Sequence, residues 1–249
     1  MIATKPSDDI QDFLQFLSDT MGSQTSADRA GAPQADIDAF AELVKQPLPA
    51  LYVGYLKEFG QRDRTLMMTD DTDARLSTLI SFYEEQAGAE ESDIPTDAVM
   101  IGVNGLSGER ALKYSNLLNS SPINSEPTVV VSEFGKLQYV YADSFRNHLY
   151  RQAFVRGRFR VGALFSLRRN EELLLPVARQ AFEDVGFKSY WFSDAYQVCL
   201  ERYDSSAAVY IARIPGRTSI FGCFEDRTTR DELKAKFMQN LALEDSTPT

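Results

Sequence analysis

Ile37-Asp38-Ala39-Phe40-Ala41-Glu42-Leu43-Val44-Lys45-Gln46-Pro47-Leu48-Pro49-Ala50-Leu51-Tyr52-Val53-Gly54-Tyr55-Leu56-Lys57-Glu58-Phe59-Gly60 reads as two short helices with a sharp break between them. Ile37, Phe40, Ala41 and Val44 recur at the spacing that places apolar side chains on one helical face. Gln46-Pro47-Leu48-Pro49 ends that helix, because proline lacks the N–H to continue it and disfavours helix at the residue before it. Pro49 can open a second helix, in which Tyr52, Tyr55, Leu56 and Phe59 share a face. Gly60 stands where a left-handed helix stop is expected.

Upstream, Ile10, Phe13, Leu14, Leu17 and Met21 predict a helix over about 9–21, with Asp8 as its cap, followed by a small-residue loop over 22–33. Downstream, Leu66-Met67-Met68 is a short strand candidate before the acidic turn Asp70-Asp71-Thr72-Asp73. Leu76, Leu79, Ile80 and Tyr83 predict a helix that gives way to an acidic loop over 84–93. Val99–Gly102 and Ala111–Tyr114 predict a hairpin across Asn104-Gly105, and Thr128–Val131 with Leu137–Tyr141 a second pair. Asp143-Ser144 can cap a helix carrying Phe145, Leu149 and Phe154.

After an arginine-rich stretch over 156–169, a second unit is expected with the order α-β-β-β-α. Its first helix is Pro176–Val185, closed by Gly186. Its strands are Tyr196–Tyr203, Ala207–Ile214 and Ser219–Phe224, and its last helix opens on Thr229 with Glu232 as a capping box. The expected division is a domain over 1–165 and a smaller αβ domain over 166–249.

At 249 residues, 43% hydrophobic and 25% charged, the chain can bury a core without crosslinks. Its two cysteines, Cys199 and Cys223, lie in strand-like runs and predict packed thiols, not a disulfide framework. No stretch nears the roughly 18 apolar residues of a membrane span, and residues 1–9 lack an apolar signal core. A cytoplasmic protein is therefore expected. The net charge of −10 is uneven: residues 1–100 carry nineteen Asp and Glu against seven Lys and Arg. An acidic surface of this kind repels nucleic acid and speeds encounter with basic proteins, although it also serves as solubilising charge.

The residues that could carry chemistry are few. His148 is the only histidine, so a multi-histidine metal site is excluded, and it is expected to be solvent-facing or structural. Asp70-Asp71-Thr72-Asp73 suggests calcium, but the glycine and the closing glutamate of an EF-hand loop are missing. Gly102, Gly105 and Gly108 follow a strand yet lead into another strand, which leaves no helix N-terminus for a phosphate. Arg151, Arg156, Arg158, Arg160, Arg168 and Arg169, interleaved with Phe154, Phe159 and Phe165, admit two readings. One is single-stranded nucleic acid binding; the other, favoured here, is pairing with acidic groups within the protein or a partner. Glu84-Glu85 and Glu90-Glu91 are adjacent in sequence and read as charged surface, not as a catalytic pair. No cofactor, metal or catalytic residue is expected.

Residues 37–60 also resemble the opening of the SUKH superfamily, with its amphipathic helix, Leu-Pro elbow and glycine-terminated aromatic helix. Ile94-Pro95 leading to Val99-Met100-Ile101-Gly102-Val103-Asn104-Gly105 resembles that family's strand and glycine-bearing turn. Tyr141-Ala142-Asp143-Ser144-Phe145 resembles its closing strand-to-helix element. The resemblance covers about 35–155, with residues 62–93 poorly matched and the last 80 residues outside it. It implies an α+β fold, a curved mixed or antiparallel sheet with packed helices, without an active site. Many bacterial members are immunity proteins that bind a cognate toxin, often a nuclease or deaminase, and fungal members are scaffolds.

The expectation is therefore a non-enzymatic immunity protein that neutralises a cognate toxin by direct complex formation. A general scaffold of the same fold and a nucleic-acid binder using Arg151–Arg169 are the alternatives. Against a basic toxin, the expected partner-binding residues are Asp70, Asp71, Asp73, Glu84, Glu85, Glu90, Glu91 and Asp93.

Overall fold

The computed structural model describes residues 10–22, 29–46, 48–63, 66, 72–90, 92–94, 98–104, 109–113, 126–134, 136–159, 162–170, 175–203 and 206–247. The fold is α+β, and every strand pairing among the described residues is antiparallel. The chain divides into two compact units between Gln152 and Ala153.

The first unit begins with α1 (Ile10–Met21), β1 (Arg29–Ala30), α2 (Gln34–Val44), α3 (Ala50–Phe59), β2 (Arg62–Asp63) and α4 (Leu76–Gln86). Four strands follow in spatial order β3 (Ala98–Gly102), β4 (Glu109–Lys113), β5 (Thr128–Glu133) and β6 (Lys136–Ala142). Helix α5 (Phe145–Arg158) comes next, and the division of the chain falls within it. Its first turn is capped as expected, with the Ser144 hydroxyl accepting the Asn147 N–H at 3.1 Å.

The elbow between α2 and α3 is present, with Pro49 as the residue that opens α3. Its stops are placed differently from the expectation. The left-handed residue is Lys45, at φ 57, which ends α2. Gly60 lies at φ −62, an ordinary right-handed conformation. A Cβ on Gly60 would stand 2.5 Å from the Leu56 carbonyl oxygen and 2.8 Å from the Ala32 Cβ, so close approach is what requires glycine there. The approaching segment is the one leaving β1, where the Ala32 N–H donates to the Leu56 carbonyl at 2.9 Å. Helix α4 extends through Glu84 and Glu85, beyond the point where a loop was expected. The strand expected at 66–68 falls largely outside the described residues.

The second unit contains β7 (Ala163–Arg169), α6 (Leu175–Glu183), β8 (Lys188–Ser189), β9 (Gln197–Arg202), β10 (Ala207–Ile214), β11 (Arg217–Phe224), α7 (Arg227–Asn240) and β12 (Glu244–Asp245). They build one six-stranded sheet in the order β12-β7-β11-β10-β9-β8. Helix α6, strands β9, β10 and β11 and helix α7 follow one another in the chain, with the arginine-rich β7 and the two-residue β8 and β12 also in the sheet. A division at 165/166 would cut β7, which pairs with β11 along its whole length. Period-two alternation sends Phe165, Leu167, Val198, Leu200, Val209, Ile211, Ile220 and Phe224 to one face, where they pack with Phe182, Leu233 and Phe237 of the helices. The cap of α7 is Asp226, whose carboxylate accepts the Thr229 N–H at 2.6 Å; Thr229 itself lies inside the helix.

Cys199 and Cys223 are both buried free thiols. They sit on β9 and β11 with β10 between them and a two-residue offset in register, so they are more than about 9.5 Å apart, too wide for a disulfide.

Two outcomes follow from this packing. A Cβ at residue 31 would lie 1.7 Å from the Lys57 carbonyl oxygen, so Gly31→Ala is expected to cost about 2–3 kcal/mol in denaturant unfolding. The second concerns alkaline pH. Burial first, then Asp63, holds the Tyr55 hydroxyl well above its ordinary value of 10.0. Burial raises Tyr83 to about 12, and burial with Glu201 raises Tyr190 further. Groups raised in the folded state keep their stabilising effect whole below pH 10 and lose it as pH rises toward the folded values. Absorbance titration should therefore show these phenols ionising together with cooperative unfolding above about pH 10, instead of independently.

Candidate functional site

The acidic candidates separate into three groups. Asp70, Asp71 and Glu91 lie outside the described residues. Asp73 is engaged inside the protein: its carboxylate accepts the Arg75 N–H at 2.9 Å, the Arg75 Nε–H at 3.0 Å and the Thr78 hydroxyl at 2.9 Å. Its backbone bridges Val103 in both directions. Burial pushes the Asp73 carboxyl up, but the Arg75 and Thr78 donors outweigh it and leave the group below its ordinary value.

Glu84, Glu85 and Glu90 form the third group, with Asp93 beside them. Leu76, Leu79 and Tyr83 are the buried face of α4, and the Tyr83 hydroxyl accepts the buried Met100 N–H at 3.0 Å. With that face fixed, Glu84 and Glu85 project outward and are exposed. The Gln86 side chain then accepts the Asp93 N–H at 2.6 Å, which holds the following segment close to the helix end. Glu84, Glu85 and Glu90 make no ion pair or side-chain hydrogen bond among the described residues, and the last turn of α4 contains no basic residue. Carboxylates at a helix C-terminus face the negative end of its dipole, an arrangement that costs roughly 0.3–1 kcal/mol per group.

His148 is fully buried, which removes the solvent-facing expectation and leaves the structural one. Its Nδ1 lies 2.7 Å from Nη2 of Arg151, which is 1% exposed. A guanidinium only donates, so Nδ1 accepts and the imidazole proton resides on Nε2. The Tyr141 ring completes the cluster, edge-on to His148 at 5.5 Å and 5.0 Å beneath the guanidinium carbon of Arg151. The group is packed as a unit within the interior.

The other arginines of the stretch are also engaged. Arg158 pairs with the buried Glu201 at 2.9 Å, and Glu201 accepts the Tyr190 hydroxyl. Arg168 approaches Glu244 at 3.7 Å, and Arg169 donates to the Leu241 carbonyl at 3.4 Å. Arg160 lies outside the described residues. Phe154 and Phe165 are core residues, so they offer no stacking platform for bases. Burial, then Glu225, raises the Cys223 thiol, which opposes the thiolate a nucleophile requires. Among the described residues no cluster of His, Cys, Asp and Glu could hold a metal ion, and no helix is long and apolar enough to cross a membrane.

One surface feature was not anticipated from the sequence. Leu164 and Phe221, 46% and 37% exposed, lie together on the face of the six-stranded sheet opposite its apolar core. The available signal was the alternation of 217–224, which puts Phe221 opposite in sense to Ile220 and Phe224.

No protein-family model matches the chain, and comparison with curated proteins and with solved structures gives no match.

Replacing His148 with leucine keeps much of the volume but removes the acceptor for Arg151 Nη2. His148→Leu should cost about 2–3 kcal/mol in urea unfolding while leaving any surface-mediated binding unchanged once the protein is folded.

Proposed function

We propose that this chain is a non-enzymatic binding protein of the immunity type, which neutralises a basic toxin by covering its cationic surface. The observation that carries the reading is the set of carboxylates Glu84, Glu85 and Glu90, in and just beyond the last turn of α4, which meet no cation among the described residues. Within the protein they oppose the helix dipole and each other. A partner's Lys and Arg side chains would reverse both effects, and the acid excess of residues 1–100 would steer such a partner at low salt. The resemblance of residues 35–155 to the SUKH superfamily supports the same reading, as does the engagement of Asp73, His148, Arg151, Arg158, Arg168 and Arg169 within the protein.

The triple variant Glu84→Lys, Glu85→Lys, Glu90→Lys separates binding from folding. Lysines near a helix C-terminus should raise stability by about 1 kcal/mol in a thermal melt. The same variant should lose co-purification with the toxin encoded beside the gene and should no longer protect cells expressing that toxin. A triple variant that protects as well as the unaltered chain would falsify the role of this surface. A wild-type chain that neither protects nor co-purifies would remove the immunity reading itself.

A further inference from the structure

Strand β7 is the last full-length strand on its side of the six-stranded sheet, and the chain's own Glu244–Thr247 lies along part of its outer edge. Glu244 stands opposite Arg168 and Asp245 opposite Leu167, antiparallel, and the Ser246 N–H donates to the Ser166 carbonyl at 2.8 Å. The side chains repeat the match. Lys234 of α7 pairs with Asp245 at 2.7 Å, Arg168 lies 3.7 Å from Glu244, and the Ser166 and Ser246 hydroxyls are 2.8 Å apart. Lys234 first, then the Thr247 N–H, lower the Asp245 carboxyl to about 2, so it is ionised at neutral and mildly acidic pH.

This segment is specified by its contacts but weakly held. Leu241 and Leu243 before it are buried, whereas Glu244–Thr247 contains no apolar side chain and its two ion pairs are partly exposed. Exposed pairs contribute little, and segments without buried apolar contacts are the ones that open locally. The segment also stops short. The Thr247 hydroxyl accepts the Ser166 N–H at 3.0 Å and the Lys234 ammonium at 3.2 Å, and donates to the Ser166 carbonyl at 3.3 Å. A side chain thus ends the ladder where a longer strand would offer its backbone. The period of two turns the Leu164 N–H and C=O toward the same edge as those of Ser166. No hydrogen bond from that edge reaches Leu164 among the described residues, and its side chain is 46% exposed. The register places position 248 opposite Leu164, and the residue there is proline, which has no N–H to give.

We infer that the outer edge of β7, with Arg168 and Lys234 beside it, is a docking site for an extended acidic segment of a partner protein, which Glu244–Thr247 fills in cis. A partner strand opening on two acidic residues would repeat the contacts to Arg168 and Lys234. Continuing for three more residues, with an apolar one opposite Leu164, it would pair backbone groups that the chain's own segment leaves open, and so displace it. The site lies in the second unit and uses none of the α4 carboxylates, so its failure and that of the toxin-binding reading are separate results.

Labelled peptides and the full chain test it. One peptide repeats residues 243–249, and a second carries Pro248→Leu. The chain variant E244K/D245K sets like charges against Arg168 and Lys234, which should free the edge with an unchanged circular dichroism spectrum. Fluorescence anisotropy should show the first peptide binding this variant at least about tenfold more tightly than wild type, whose own segment competes. The leucine peptide should bind about tenfold more tightly again. Adding K234E restores attraction between positions 234 and 245 in cis and should abolish the gain. In wild type, saturating leucine peptide should slow amide exchange at Leu164 and speed it at Ser246, a readout that needs no variant. A folded double variant that binds no better than wild type overturns the inference. So does a leucine peptide no tighter than the first, a triple variant that keeps the gain, or exchange at Leu164 and Ser246 that the peptide leaves unaltered. Wild type should also sediment as a monomer from about 1 to 100 µM; a dimer that E244K/D245K abolishes would assign the edge to a second copy and overturn the partner reading.

Discussion

The first unit depends on one aromatic ladder along α3. Tyr52, Tyr55 and Phe59 are stacked in sequence, with Tyr52 and Tyr55 at 6.2 Å and Tyr55 and Phe59 at 5.2 Å, and Phe145 of α5 meets both tyrosines edge-on. Such ring pairs add about 1 kcal/mol each beyond the area they bury. The ladder also fixes what surrounds it. The Tyr55 hydroxyl donates to Asp63 at 2.8 Å, and Asp63 in turn accepts the Leu66 N–H at 2.8 Å, which ties the chain after β2 to the helix. On another face, a Cβ at Gly54 would stand 2.8 Å from the Cβ of Ile10, so α1 lies directly on α3.

How far the sequence disclosed this architecture depended on whether a segment's period survived its charges. The helices α1 to α4 were legible because their apolar residues recur cleanly and prolines mark the break between α2 and α3. Strands β3, β5, β6, β9, β10 and β11 were legible because they are runs of β-branched and aromatic residues with turn signals between them. Strand β7 was concealed: Arg168 and Arg169 mask the alternation of Ala163–Arg169, in which Phe165 and Leu167 point into the core. Strands β8 and β12 have two residues each, too few to show any period. The state of Gly60 was hidden for another reason, since a glycine required by a passing segment and a glycine required by its own backbone angle look alike in sequence.

The candidate site was legible only as a charge distribution. Sequence alone could not show that Arg75 and Thr78 engage Asp73, while Glu84, Glu85 and Glu90 meet no cation among the described residues. That distinction arises from position on a folded helix. The same holds for His148, whose spacing of three from Arg151 on α5 makes contact geometrically available, but whose burial is decided by Tyr141 on β6. Of the candidates, Arg151 is matched to His148 and Arg158 to Glu201, which also accepts the Tyr190 hydroxyl.

That matching bears on where a binding protein can place its specificity. A buried charge left without its partner costs several kcal/mol, so Glu201 and Arg158 constrain each other and tolerate little change. Exposed charges at a helix end cost far less and can vary without refolding the core. Glu84 and Glu85 are held by a helix whose opposite face is anchored through Tyr83, Leu79 and Leu76, so their positions are defined although they meet no cation among the described residues. A rigid scaffold carrying a low-cost, unmatched surface can accommodate a change of partner through that surface alone. The same reasoning applies to Phe221: Ile220 and Phe224 fix β11 from the core side and leave the ring on the other face in a defined position. In both places the core fixes the geometry of an exposed group.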